Sequence, residues 1–174
     1  MKSRQVLCFA AAMALGVANG AGADMEHKSY TGSKEFERVK SLVGAWEGTD
    51  AKNPSGKPVR VEYRVTGAGS AVVETLFPGT PHEMVTVYYD KGGAFCMTHY
   101  CALGNRPQMS LKSSTAEAIE LELAPGGEVN ADRDLHMHAL KITFDGADKI
   151  VHDWTLFEGG KQKDVSHFTF ARVK

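Results

Sequence analysis

From Ala45 to Val173 the chain reads as ten short runs in which apolar and polar residues alternate, each broken by a turn rich in Gly, Asp or Asn. Alternation with a period of two marks a strand with one buried face. The spacing predicts strands at roughly 45–50, 57–66, 70–77, 83–90, 94–101, 107–114, 117–124, 134–144, 149–158 and 164–173. Lys91-Gly92-Gly93, Asp145-Gly146 and Gly159-Gly160 are hairpin signals, because tight hairpins need left-handed backbone. Ala51 to Gly56, Pro78 to Pro81 and Pro125 to Asp132 read as longer loops. One helix precedes the strands. Ser33 is placed to cap it, Phe36, Val39, Leu42 and Val43 recur at helical spacing, and Gly44 is placed to stop it. The whole predicts an all-β fold: an antiparallel up-and-down barrel of about ten strands preceded by one short N-terminal helix.

Parity sorts the side chains. Val59, Val61, Tyr63 and Val65 share one face, and Arg60, Glu62 and Arg64 the other. Phe95, Met97, His99 and Cys101 share a face, as do Ile150, His152, Trp154 and Leu156. On the eighth run Leu140, Ile142 and Phe144 face inward, and the same parity carries His136 and His138 with them. Glu74 lies in the apolar run Ala71 to Phe77, where a carboxylate needs a partner or an altered pKa.

The N-terminus predicts export. Lys2 and Arg4 precede an apolar stretch from Val6 to Ala18, and Ala21-Gly22-Ala23 fits a small-x-small cleavage site. Residues 1–23 are then a cleaved signal, 24–32 a flexible N-terminal segment and 33–174 a single barrel domain in the periplasm or outside the cell. Cleavage would leave 18 basic residues against 21 acidic. That balance, with no basic patch, argues against a nucleic-acid partner. The leading apolar stretch is short for a bilayer span, and no second one follows. Cys96 and Cys101 sit five residues apart, so on one strand they point to opposite faces and read as free thiols.

Gly44-Ala45-Trp46-Glu47-Gly48 resembles the opening of calycin-like barrels: the Gly-x-Trp of lipocalins and the Gly-x-Trp-x-Gly of nitrobindin-like proteins. That resemblance implies that Trp46 closes one end of the barrel beneath an Arg of the last strand, here Arg172. It also implies a ligand inside. The stretches Phe36 to Gly44, Glu74 to Met84 and Met97 to Asn105 are similar to a family of uncharacterised bacterial secreted proteins, which brings no activity with it. In nitrobindin-like proteins a His near the C-terminus binds haem iron. His167 matches by position, but parity turns it outward beside inward Phe168 and Phe170.

These patterns lead to a barrel that binds a small, mostly apolar molecule. Met84, Phe95, Met97, Leu140, Ile142, Phe144 and Trp154 would supply apolar wall, and Glu74, His99, His136, His138 and Asp153 polar contacts. A second reading is an enzyme using a metal or haem at interior His residues, with His99, His136 and His138, joined by Glu74, as the metal set. Neither cofactor is preferred. A Cys101–His99 pair could give nucleophilic chemistry. Arg106 at a loop could meet a ligand carboxylate with both arms of its fork. A third reading is an interaction module that forms a homodimer through an exposed strand.

Overall fold

A computed structural model of the protein describes residues 29–174. The export signal read at residues 1–23 lies outside the described residues. Helix α1 (Lys34–Lys40) leads into β1 (Gly44–Asp50), β2 (Val59–Thr66), β3 (Ala71–Leu76), β4 (Met84–Lys91) and β5 (Ala94–Tyr100). Then come β6 (Gln108–Ser114), β7 (Ala118–Leu123), β8 (His136–Phe144), β9 (Lys149–Glu158) and β10 (Lys161–Arg172). Every strand pairs antiparallel with its neighbours in sequence, and β1 pairs with β10, so the sheet closes on itself as an up-and-down barrel. Closure gives every strand a partner on both sides, although the first half of β10 runs beyond its ladder with β1, which covers only Phe168–Arg172. Among the described residues no helix is long and apolar enough to cross a membrane.

The predicted hairpins form. Gly92 and Gly93 have φ of 61° and 83°, and Gly159 and Gly160 have φ of 59° and 74°. Both pairs supply the two left-handed positions that a tight turn demands. Charge covers the outside of the sheet, as in Arg60 beside Glu62 and Lys112 between Glu120 and Glu122.

One end of the barrel is closed by α1. The Ser33 hydroxyl accepts from the Phe36 N–H, and Asp90 on β4 anchors Ser33 through its N–H at 2.6 Å and its hydroxyl at 2.8 Å. Phe36, Val39 and Leu42 are thereby pressed into the barrel, each with 2 % exposure or less. Burying side chains of this size stabilises by about 1.5–3 kcal/mol apiece. Trp46 lies below them, its indole N–H donating to the Leu42 carbonyl at 2.8 Å. The Arg172 guanidinium sits 4.2 Å above the Trp46 ring and donates to the Val43 and Ser41 carbonyls at 2.8 and 3.0 Å. It thus joins the last strand to the helix end and the first strand.

The two glycines of the opening motif have separate causes. Gly44 has a φ of 124°, where side chains are rarely tolerated. Gly48 lies where β1 runs against β10, and a Cβ there would meet the Thr169 carbonyl oxygen at 1.8 Å.

Candidate functional site

The end opposite α1 is built differently. Between the ends of β3 and β5, the starts of β4 and β8 and the middle of β9 and β10 lies a cavity of about 180 Å³. Leu76, Phe77, Met84 and Phe168 form its outer wall, and Met137, Ser166, Trp154 and His99 the remainder. Phe77 has a φ of 56°, unusual for a bulky residue, and its ring packs edge-on against Phe168 at 5.9 Å. His99 lies 4.5 Å from the Trp154 ring. The Trp154 indole N–H is buried with no acceptor among the described residues. An unmet buried donor costs about 1–3 kcal/mol.

Behind His99 runs a chain of buried polar groups. Its Nδ1 shares a 2.9 Å hydrogen bond with the Thr86 hydroxyl, which also lies 3.3 Å from Glu74 Oε1. Tyr88 donates to Glu74 Oε2 at 2.8 Å. The Tyr63 hydroxyl faces the same carboxylate and shares a 2.9 Å bond with His152 Nε2. The pairing register explains the cluster: Glu74 is the cross-strand partner of both Tyr63 on β2 and Thr86 on β4, and Thr86 in turn of His99 on β5. Burial pushes Glu74 up to about 6, against the pull of its hydroxyl donors. Burial drives His99 down to about 4 and His152 to about 3, so both imidazoles are neutral near pH 7. The Tyr63 and Tyr88 hydroxyls are raised well above the usual range, by burial first and then by the carboxylate beside them.

The predicted site residues divide. Met84, His99 and Trp154 line the cavity. Glu74 lies one hydroxyl behind it. Met97, Phe95, Leu140 and Ile142 are fully buried in the packed core and do not line the cavity, and Phe144 supports the Arg38 guanidinium 3.8 Å from its ring.

The inward placement of His136 and His138 is corrected by a bulge. On the β8–β9 ladder Met137 pairs with Leu156 and Ala139 with Thr155, so His138 is an extra residue. Parity is inverted beyond it, and Met137 faces the cavity instead. His136 pairs with Phe157 away from the cavity and is fully buried, its Nδ1 2.8 Å from the Asp134 carbonyl oxygen, and its Nε2 lies 3.1 Å from Nδ1 of the partly exposed His138. The His138 ring stacks on Phe157 at 3.8 Å, and its Nε2 lies 3.9 Å from Glu122. The set His99, His136 and His138 therefore does not converge. Among the described residues no group of three or more His, Cys, Asp or Glu side chains is arranged to hold a metal ion.

Asp153 is on the outside, where it meets His167 at 2.6 Å. The Arg106 fork is engaged by Glu128 at 2.8 and 2.7 Å. Cys96 and Cys101 are free thiols, and burial pushes both above the ordinary thiol range, away from the thiolate a nucleophile needs.

Sequence reasoning missed Leu76, Phe77, Met137, Ser166 and Thr86. Parity from Glu74 reaches Leu76, and parity from Phe168 reaches Ser166. Nothing in the local pattern marks the bulge that turns Met137 inward.

Compared with known proteins, the chain matches no family model and no curated sequence. The closed ten-stranded antiparallel barrel is compatible with a calycin-like fold.

Proposed function

We propose that the protein is an exported, calycin-like barrel that binds a small, mostly apolar molecule at the end of the barrel opposite α1. The observation that carries this reading is the cavity itself: apolar walls of Leu76, Phe77, Met84, Met137 and Phe168 around one neutral imidazole, His99. An apolar wall with few polar groups is the usual composition of a small-molecule site. The volume limits the guest. A dry cavity of about 150 Å³ takes benzene, so 180 Å³ suits a single ring or a short chain. A larger ligand would place only its apolar end inside. The export part of the proposal rests on the basic, apolar and small-residue order of residues 1–23.

The test is a titration with benzene, indole and phenol, followed by NMR of the methionine methyl groups. Saturable shifts are expected at Met84 and Met137, with little change at Met109, which is buried elsewhere in the core. Absence of saturable shifts with all three compounds, up to their solubility, would overturn the reading. Export is checked separately by the N-terminal sequence of protein recovered outside the cytoplasm. Asp24 is expected first, and an intact Met1 would refute cleavage.

A further inference from the structure

Glu74 is fully buried, and among the described residues no cation pairs with it. The titratable groups around it are Tyr63 from β2, Tyr88 from β4, His99 from β5 by way of Thr86, and His152 from β9 by way of Tyr63. The buried charged group of α1 is Glu35, 3.6 Å from Lys34, and Arg172 of β10 is engaged over Trp46.

An ionised carboxylate only accepts hydrogen bonds, and a hydroxyl has one proton to give. With Glu74 ionised, Thr86 donates to Oε1. Thr86 must then accept from His99, which fixes the proton on Nδ1. His99 Nε2 is left as an acceptor. With Glu74 protonated, the order reverses: Glu74 donates to Thr86, Thr86 donates to His99 Nδ1, and Nε2 carries the proton as a donor. Both states satisfy every group along the chain.

The alternative routes are poorer. Tyr88 is bonded to Glu74 and stacked on Phe95 at 5.9 Å, and no onward acceptor for its proton is found among the described residues. Tyr63 leads to His152, whose Nδ1 is buried without a partner, so forcing a proton onto it would bury an unmet donor. His99 lines the cavity, where its other nitrogen can be served by a guest.

We propose that Glu74, acting through Thr86, sets which nitrogen of His99 carries the proton, and so whether the cavity takes a hydrogen-bond donor or an acceptor. With Glu74 ionised, the ligand class is a small aromatic or aliphatic compound with one hydroxyl, which donates to His99 Nε2. With Glu74 protonated, preference passes to a carbonyl compound of the same size. This deepens the binding function proposed above and rests on it. Glu74 and Thr86 are positioning residues, and His99 is the group that touches the ligand. The shifts of Glu74 to about 6 and His99 to about 4 leave a window in which the carboxylate titrates while the imidazole stays neutral.

The experiment has two arms. In the first, the His99 tautomer is read by ¹⁵N NMR between about pH 8 and about pH 5, the interval that brackets the Glu74 transition. The wild-type protein is expected to pass from the Nδ1–H to the Nε2–H form. Glu74→Gln, whose amide donates to Thr86, should hold the Nε2–H form throughout. Thr86→Val should remove the pH dependence. A wild-type tautomer that does not change, or one that changes equally in Thr86→Val, overturns the coupling. If Glu74→Gln does not fold, the wild-type and Thr86→Val titrations still decide.

In the second arm, phenol and benzaldehyde are titrated into the same proteins. The ratio of phenol to benzaldehyde affinity should fall roughly tenfold across the interval in wild type, about the effect of one hydrogen bond, and stay low in Glu74→Gln. A constant ratio in wild type overturns the ligand preference. A tautomer switch with neither compound bound supports the coupling and counts against the binding function instead.

Discussion

The two ends of this barrel use the same strands for opposite purposes. At the α1 end, Phe36, Val39 and Leu42 descend onto Trp46, Arg172 reaches across the seam, and carbonyls left by the helix terminus are met by a guanidinium. At the other end the strands run into loops, and the space between Phe77, Met84, Met137 and Phe168 stays open. Between them lies the buried layer of Glu74, Tyr63, Tyr88, Thr86 and the two imidazoles. The difference teaches where stability and adaptability reside. A fully buried aromatic under a cation resists change, whereas an apolar wall around a void can lose or gain atoms with smaller consequence.

The contrast is broken most severely at Trp46. Trp46→Ala removes a buried ring, its hydrogen bond to Leu42 and the support of Arg172, and should lower unfolding free energy by about 3–5 kcal/mol in denaturant titration. A loss comparable to that of a surface substitution would refute the closing role of that end.

The middle layer should make stability depend on pH in two opposing ways. His99 and His152 have depressed pKa values, so their contribution is present above about 6.5 and is lost as the pH falls towards about 4 and about 3. Glu74 has a raised value, so its contribution is present below about 4.5 and is lost as the pH rises through about 6. The two histidines outweigh one carboxyl, and the melting temperature should fall on acidification from neutral pH. In Glu74→Gln the opposing contribution is gone. That variant should be more stable than wild type near pH 8 by about 1–2 kcal/mol and lose stability more steeply with acid. A shallower acid loss than wild type would contradict this assignment.

At the open end the effects are smaller. Phe77→Gly relieves a left-handed bulky residue while removing its contact with Phe168, and the opposed terms should leave stability within about 1 kcal/mol of wild type while the mouth widens. Benzene and indole affinities measured on this variant would show the change. Least costly for the fold is Ser166→Leu, which extends into the cavity. Melting should move little, and binding of small aromatics should disappear. Retained binding would place the guest elsewhere.

Much of this frame was legible in the chain, and the reason is periodicity. Two-residue alternation states which face of a strand is buried, and paired glycines state where the strand turns, so the barrel and its order of elements follow. The same rule placed His99 and Trp154 inward. It failed at His138 because a bulge adds one residue without leaving a pattern of its own, and a parity argument carried past it is inverted. The chain of Glu74, Thr86 and His99 was hidden for another reason. Its members are separated along the sequence and meet only through the register of three neighbouring strands, which no local pattern encodes.

The seam between β1 and β10 also governs the timing of folding. Hairpins from β2 to β9 close short loops and can form as soon as their residues are available. The pairing of Trp46 with Arg172 joins almost the first and last residues of the barrel, so the cylinder cannot shut until the final strand arrives. Until then the sheet has two raw edges, and the nascent chain is exposed to edge-to-edge aggregation. A circular permutant that links the two ends and opens the chain at Gly159-Gly160 would move the closing seam to β9 and β10, and that ladder should then be the last to form.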